Sequence, residues 1–264
     1  MSLRAIHSAA SGMEAHQFSL DVVANNLANA STDSFKRSRT NFEDLFYQNI
    51  KLPGTDSAAG QTGVGTSVGL GTRIASTSLD FSQGSIQKTN GDLDMAIVGP
   101  GFFQVDDAGT PAYVRAGNFT KNSAGQIVTA SADSGRVLQP AITIPDGYTE
   151  IEVSGAGVVS ALNQDGIVEN LGQLQLYRFA NHQGLLQRGE NLFIETPASG
   201  AAVTDIPGSN GLGTIKHRHL EASNVEPVRE LVDLIKTQRN FELNSQTIKA
   251  ADQMLQLISN LRQF

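Results

Sequence analysis

The chain has 264 residues, of which 39% are hydrophobic and only 17% charged, with a net charge of -7 and no cysteine. That length allows two domains, and the acidic balance without a basic stripe excludes nucleic acid as a partner, because phosphates are held by clustered Lys and Arg. Without cysteine there is no disulfide framework and no thiolate metal site, and no stretch reaches the roughly 18 apolar residues of a membrane span, so no membrane insertion is expected.

From Leu3, apolar or small residues recur at Ile6, Ala10, Met13, then Gln17, Leu20, Ala24 and Leu27, steps of three and four that mark a coiled-coil seam. One helix cannot bury such a stripe within itself and needs a partner. The other end of the chain supplies one: Val228, Leu231, Leu234, Ile235, Gln238, Phe241, Ser245, Ile248, Ala251, Leu255, Ile258 and Leu261 trace one face at helical spacing. Helices this much longer than the usual 11 or so residues, one at each terminus, predict an elongated α+β molecule. In it the terminal helices pair as a coiled coil around a central all-β domain. The expected assembly seam is Leu3, Ile6, Met13, Leu20 and Leu27 with Leu231, Leu234, Ile235, Phe241, Ile248, Leu255 and Ile258. A seam containing Gln17 and two alanines is weak, which predicts termini that fold largely on assembly.

The first helix is expected to end near Asn29 or Ser31, with Asn25, Asn26 and Asn29 bonding to a facing helix or to the turn itself. Lys36, Arg37 and Arg39 then read as a solvated turn, and Phe42 to Gln48 as a short amphipathic piece. A Gly/Ser/Thr-rich run from Pro53 to Gly71 lacks the spacing of a phosphate loop. Period-two segments at Ser76–Phe81 and Ser85–Lys88 read as a hairpin around Gly84. From Asp94 to Pro197 come short strands separated by turns such as Asp146-Gly147 and Asp165-Gly166. Residues 198–223 lead back to a helix opened by Asn224, Glu226 and Pro227. The expected division is 1–31 with 224–264 as the helical part, 32–93 as connector, 94–197 as the β domain and 198–223 as the return.

Chemistry is thin. Asp92, Asp94, Asp106 and Asp107 fall at strand ends and turns, where Asp is ordinary. His217 and His219 alternate around Arg218 and would supply two zinc ligands on one strand face, yet no third stands nearby. No G-x-S-x-G, H-E-x-x-H or Walker motif occurs. No catalytic residue, cofactor or metal ligand is expected; an exported β-domain binding module or a peptidoglycan hydrolase is the rival reading.

Three separated motifs carry a resemblance. Ala24-Asn25-Asn26-Leu27-Ala28-Asn29 with Thr32 and Phe35-Lys36, then Asp94-Met95-Ala96-Ile97 with Gly101-Phe102-Phe103-Gln104-Val105, then Glu221-Ala222-Ser223-Asn224-Val225-Glu226 with Glu230, Gln238-Arg239 and Phe241-Glu242, closely resemble the bacterial flagellar axial proteins, the rod and hook subunits. The motif residues singled out are Asn25, Asn26, Leu27, Asn29, Phe35, Ser223, Asn224, Val225, Gln238 and Arg239. Ser34 stands where the family usually has glycine. Residues 46–62 look like the segment that distal-rod members carry, which favours a distal-rod subunit over a proximal-rod or hook subunit. The resemblance implies a stiff head-to-tail helical polymer of the chain that transmits torque. It also implies proximal-rod, hook and ring proteins as partners, and a place in the basal body where the rod crosses the periplasm toward the outer membrane. Export through the flagellar apparatus is implied too, in agreement with an N-terminus that does not read as a Sec signal.

Overall fold

A computed structural model describes residues 2–54, 56–57, 60–61, 64–132 and 134–261; the side chains at 2, 3, 56, 57, 60, 61, 149, 258, 259 and 261 lie outside that description. The fold is α+β, with a helix at each end of the sequence and strands between them. The chain forms two compact units: residues 1–28, 38–80 and 226–264 in one, and 29–37 with 81–225 in the other.

In the first unit, helix α1 (Ser2–Ala28, 27 residues) packs along helix α2 (Pro227–Leu261, 35 residues) and also against the antiparallel strands Ser38–Asp44 and Thr72–Leu79. Proline opens α2 where its missing N–H is harmless, and Glu230 places an acid in the first turn, at the positive end of the dipole. Contacted from two sides, α1 buries small residues: Ala9, Gly12, Ala15, Val23 and Asn26. A Cβ at Gly12 would lie 2.8 Å from Asn244 Nδ2 on α2, so any side chain there has to move the Asn244 amide aside. Ala10, Gln17 and Ala24 are exposed, and Ile6, Met13, Leu20 and Leu27 are only half-buried. The stripe expected from apolar spacing is therefore rotated away from the centre of the contact.

Strand pairing corrects two readings. The stretch 42–48 is not a single amphipathic piece but the end of one strand and the start of another, Tyr47–Lys51, which pairs with Thr66–Gly69. Nor is there a hairpin around Gly84. Thr72–Leu79 pairs with Ser38–Asp44, while Ile86–Lys88 pairs with His219–Glu221. Gly84 serves close approach: a Cβ there would sit 2.0 Å from the Ala222 carbonyl oxygen.

The second unit is antiparallel β. Its largest sheet runs Leu138–Gln139, Phe103–Asp107, Thr110–Val114, Leu192–Ile194, Leu186–Gly189, and a second joins Tyr148–Val153, Val158–Asn163 and Val168–Gln173. Met95–Val98 pairs with Thr214–His217, and Leu176–Arg178 with Val203–Asp205. Alternating residues point inward, and Met95, Ile97, Phe103, Val105, Ile127, Leu138, Val159, Leu174 and Leu176 make a hydrophobic core.

Candidate assembly surfaces

Within each unit, residues from the two ends of the sequence meet. In the helical unit the Asn26 amide, 1% exposed, donates to Ser38 O at 2.8 Å and Glu230 Oε2 at 3.2 Å, and its oxygen accepts from Ser38 N at 2.9 Å. An asparagine in the last turn, poor for the helix itself, thus ties α1 to α2 and to the first strand. Asn29 instead accepts from the Thr32 hydroxyl at 3.0 Å, and Asn25 is exposed.

In the β unit the meeting point is a buried ion cluster. Glu221, Lys36 and Arg115 are 1%, 2% and 6% exposed. Lys36 Nζ lies 2.6 Å from Glu221 Oε1, Arg115 Nε lies 2.7 Å from Oε2, and Gly84 N donates to Oε1 at 3.0 Å. Lys36 also donates to Ser82 O, and the Arg115 guanidinium caps the carbonyls of Ile97, Gly99 and Gly101. Burial alone would push the Glu221 carboxyl up, but Arg115 and Lys36 outweigh it and hold it below the usual carboxylate range. Around the cluster, Ser34 N donates to Glu221 O at 2.7 Å, Arg37 N to Asn224 Oδ1 at 2.8 Å, and Asn224 N to Phe35 O at 3.3 Å.

Two expectations change here. Lys36 belongs to no solvated turn; it is a buried ion-pair partner. Asn224 is not at the capping position of α2, which Glu226 holds before Pro227 with its carbonyl accepting from Glu230 N; the Asn224 side chain accepts from Arg37 N and donates to Ser82. Ser34 has φ 57°, the left-handed region that favours glycine, and its buried hydroxyl donates to Arg115 O at 3.2 Å, which offsets strain of about 1–2 kcal/mol. Arg115 carries no signal of this role in the sequence, since a lone Arg in a strand pattern normally points to solvent.

The remaining seam residues divide. Leu234, Phe241, Ile248 and Leu255 are half-buried on α2 together with Thr237 and Asn244, and Glu230 and Ala251 are buried, steps of three and four that define its face toward the rest of the unit. Leu231 and Ile235 lie off that face, 46% and 59% exposed, and continue with Val228 and Val232 as an uncovered apolar stripe. Gln238 and Arg239 are exposed, Val225 is buried, and Phe35 and Ser223 are half-buried. Leu3 and Ile258 fall where side chains lie outside the described residues.

His217 Nε2 lies 2.7 Å from Asp92 O, and His219 Nδ1 lies 2.6 Å from His217 O across the positive φ of Arg218. Among the described residues no group of three His, Cys, Asp or Glu is placed to hold a metal, and no helix is long and apolar enough to cross a membrane.

Comparison with known proteins follows the same three motifs. Residues 6–36 match the flagella basal body rod protein family, 96–161 the flagellar hook protein FlgE/F/G D1 domain, and 216–261 the flagellar basal body rod FlgEFG protein C-terminal family. The flagellar basal-body rod protein FlgG of Caulobacter vibrioides is 44% identical, over 98% of this chain and 100% of its own length. That of Buchnera aphidicola from Schizaphis graminum is 44% identical over 95% and 96%, and that of Bacillus subtilis 38% identical over 98% and 99%. Homology along nearly its whole length places the chain in the FlgE/F/G family of flagellar rod and hook proteins.

Proposed function

We propose that this chain is the structural subunit of the distal rod of the flagellar basal body, and that its work is mechanical rather than catalytic. Copies polymerise head to tail into a stiff helical tube, the outcome expected when a subunit meets its neighbours through two different surfaces. The observation that carries this reading is the uncovered stripe of Val228, Leu231, Val232 and Ile235 along one side of α2. On this reading Leu231 and Ile235, with the flank of α1 formed by Ile6, Met13, Leu20 and Leu27, meet neighbouring copies. Leu234, Phe241, Ile248 and Leu255 form the seam within the subunit, and exposed Gln238 and Arg239 serve contacts between copies. Proximal-rod and hook subunits would meet the two ends of the polymer, ring proteins its outside, and the flagellar export apparatus its unassembled form.

Electron microscopy of the purified chain across a concentration series, with a cell-wall cleavage assay on the same sample, tests the reading. Straight helical tubes without cleavage are expected. Particles of fixed size at every concentration would contradict polymerisation, and cleavage would establish the hydrolase alternative.

A further inference from the structure

The sequence holds two Asn-Gly pairs, Asn90-Gly91 and Asn210-Gly211, and the fold treats them differently. An asparagine followed by glycine is chemically labile, because no side chain on the second residue hinders attack of its backbone nitrogen on the asparagine Cγ. The attack needs two freedoms: the asparagine amide must swing toward the following nitrogen, and that nitrogen must not be engaged as a donor.

At Asn210 the amide is held. It donates to the Asp205 carboxylate, and the residue sits at φ 48° in a turn closed by Ser209 N to Ile206 O at 3.0 Å and Leu212 N to Ser209 O at 2.8 Å. Burial plays no part in this protection, since Asn210 and Gly211 are both exposed.

Asn90 has no such tether. It is exposed, it makes no hydrogen bond with any described residue, and the Gly91 N–H donates to none of them. The chain on either side is pinned, by Thr89 N to Arg218 O at 2.8 Å and by Asp94 N to Gly91 O at 3.3 Å, which leaves the reacting groups themselves unrestrained. Packing requires the glycine: the Asp94 carboxylate, which accepts from the Thr89 hydroxyl at 2.6 Å, fills the space that a Cβ on Gly91 would take.

We propose that Asn90 is a site of spontaneous deamidation in the folded chain, and that Asp205 protects Asn210 from the same reaction. Gly91 N bonds to Asn90 Cγ, the Cγ–Nδ2 bond breaks, and ammonia leaves with the proton of the Gly91 N–H, giving a cyclic imide. Water then adds to one of the imide carbonyls and opens the ring to aspartate or isoaspartate, with no other reactant consumed. The product puts a new carboxylate into a loop that already carries Asp92 and Asp94, and isoaspartate lengthens the backbone there by a methylene. This inference is independent of polymerisation and stands or falls apart from the rod reading.

The purified chain, incubated at mildly alkaline pH in heavy-oxygen water either folded or in urea, then digested with trypsin in ordinary water and mapped by mass spectrometry, tests it. The label separates conversion during incubation from conversion during digestion. Cleavage after Lys88 and Arg115 gives a peptide whose only asparagine is Asn90, and cleavage after Arg188 and Lys216 gives the one that carries Asn210. In the folded chain Asn90 should convert at least about threefold faster than Asn210, a factor within the range one hydrogen bond supplies. In urea the two rates should converge. Asp205→Ala should raise the rate at Asn210 toward that at Asn90 and leave Asn90 unchanged. Equal rates in the folded chain, faster conversion of Asn210, or an Asn90 that converts only in urea would overturn the proposal. A rate difference that persists in urea would assign the effect to local sequence and overturn it as well, as would an Asp205→Ala variant in which Asn210 stays slow.

Discussion

Substituting Glu221→Gln examines what holds the β unit closed where the chain enters and leaves it. The carboxylate receives Lys36 Nζ, Arg115 Nε and Gly84 N at 2.6, 2.7 and 3.0 Å. Glutamine keeps one acceptor, turns the other atom into a donor, and removes the carboxylate charge that Lys36 and Arg115 both face. Removing one partner of a buried ion pair costs about 3–5 kcal/mol, so the β-unit transition in urea, followed by circular dichroism, should lose about that much stability at unchanged slope. Lys36→Met leaves Glu221 with Arg115 and Gly84 N but removes the bonds from Lys36 to Glu221 and to Ser82 O, for a loss of about 1.5–3 kcal/mol or more. The pair should then be strongly non-additive, with the double variant about 1–3 kcal/mol more stable than the sum of the two losses predicts. Single losses below about 1 kcal/mol, or strict additivity, would refute the cluster as the closure of this unit.

The folded pKa of Glu221 lies below its unfolded one, so its contribution is present at neutral pH and lost as pH falls through the folded value; the urea midpoint should drop below about pH 4. The part of that drop missing in Glu221→Gln reports this carboxylate, and identical pH profiles would count against it. Asn26→Leu keeps the size but orphans Ser38 N–H and removes a donor to buried Glu230, so thermal unfolding of the helical unit should show a loss of about 2–3 kcal/mol; a loss under about 0.5 kcal/mol would mean water replaces the amide. At Gly12, alanine should be nearly neutral, because its better helix propensity of about 1 kcal/mol offsets crowding of Asn244, whereas leucine should cost about 1–3 kcal/mol. Equal stability of the two variants would show that α1 and α2 do not approach closely there.

The terminal helices were legible because periodicity is a property of one segment. On α2 the seven-residue track of Leu234, Phe241, Ile248 and Leu255 was found by spacing, and these residues do lie on the packed side. Leu231 and Ile235 have similar spacing and are exposed, since spacing alone cannot tell a face that meets the same chain from one left for another. On α1 the buried positions include Ala9, Gly12 and Ala15, which a search for large apolar residues passes over. Turn chemistry marked local strands well: Asp165-Gly166 does join Val158–Asn163 to Val168–Gln173. Pairings such as Met95–Val98 with Thr214–His217 span more than a hundred residues and leave no local trace. Lys36 and Glu221 were visible only as parts of motifs at opposite ends of the chain, because charged residues are ordinarily solvated and nothing in one segment announces a counter-ion in the other.

The most direct test of the account is the critical concentration for polymerisation of a Leu231→Asp, Ile235→Asp variant against the unsubstituted chain, with circular dichroism of the monomer as control. Two carboxylates on a stripe that must become buried between copies should abolish tubes at concentrations where the parent assembles, while the spectrum of the monomer stays the same. Tubes forming at the parent's concentration would show that this face of α2 remains in water in the polymer and would contradict the assembly proposed here.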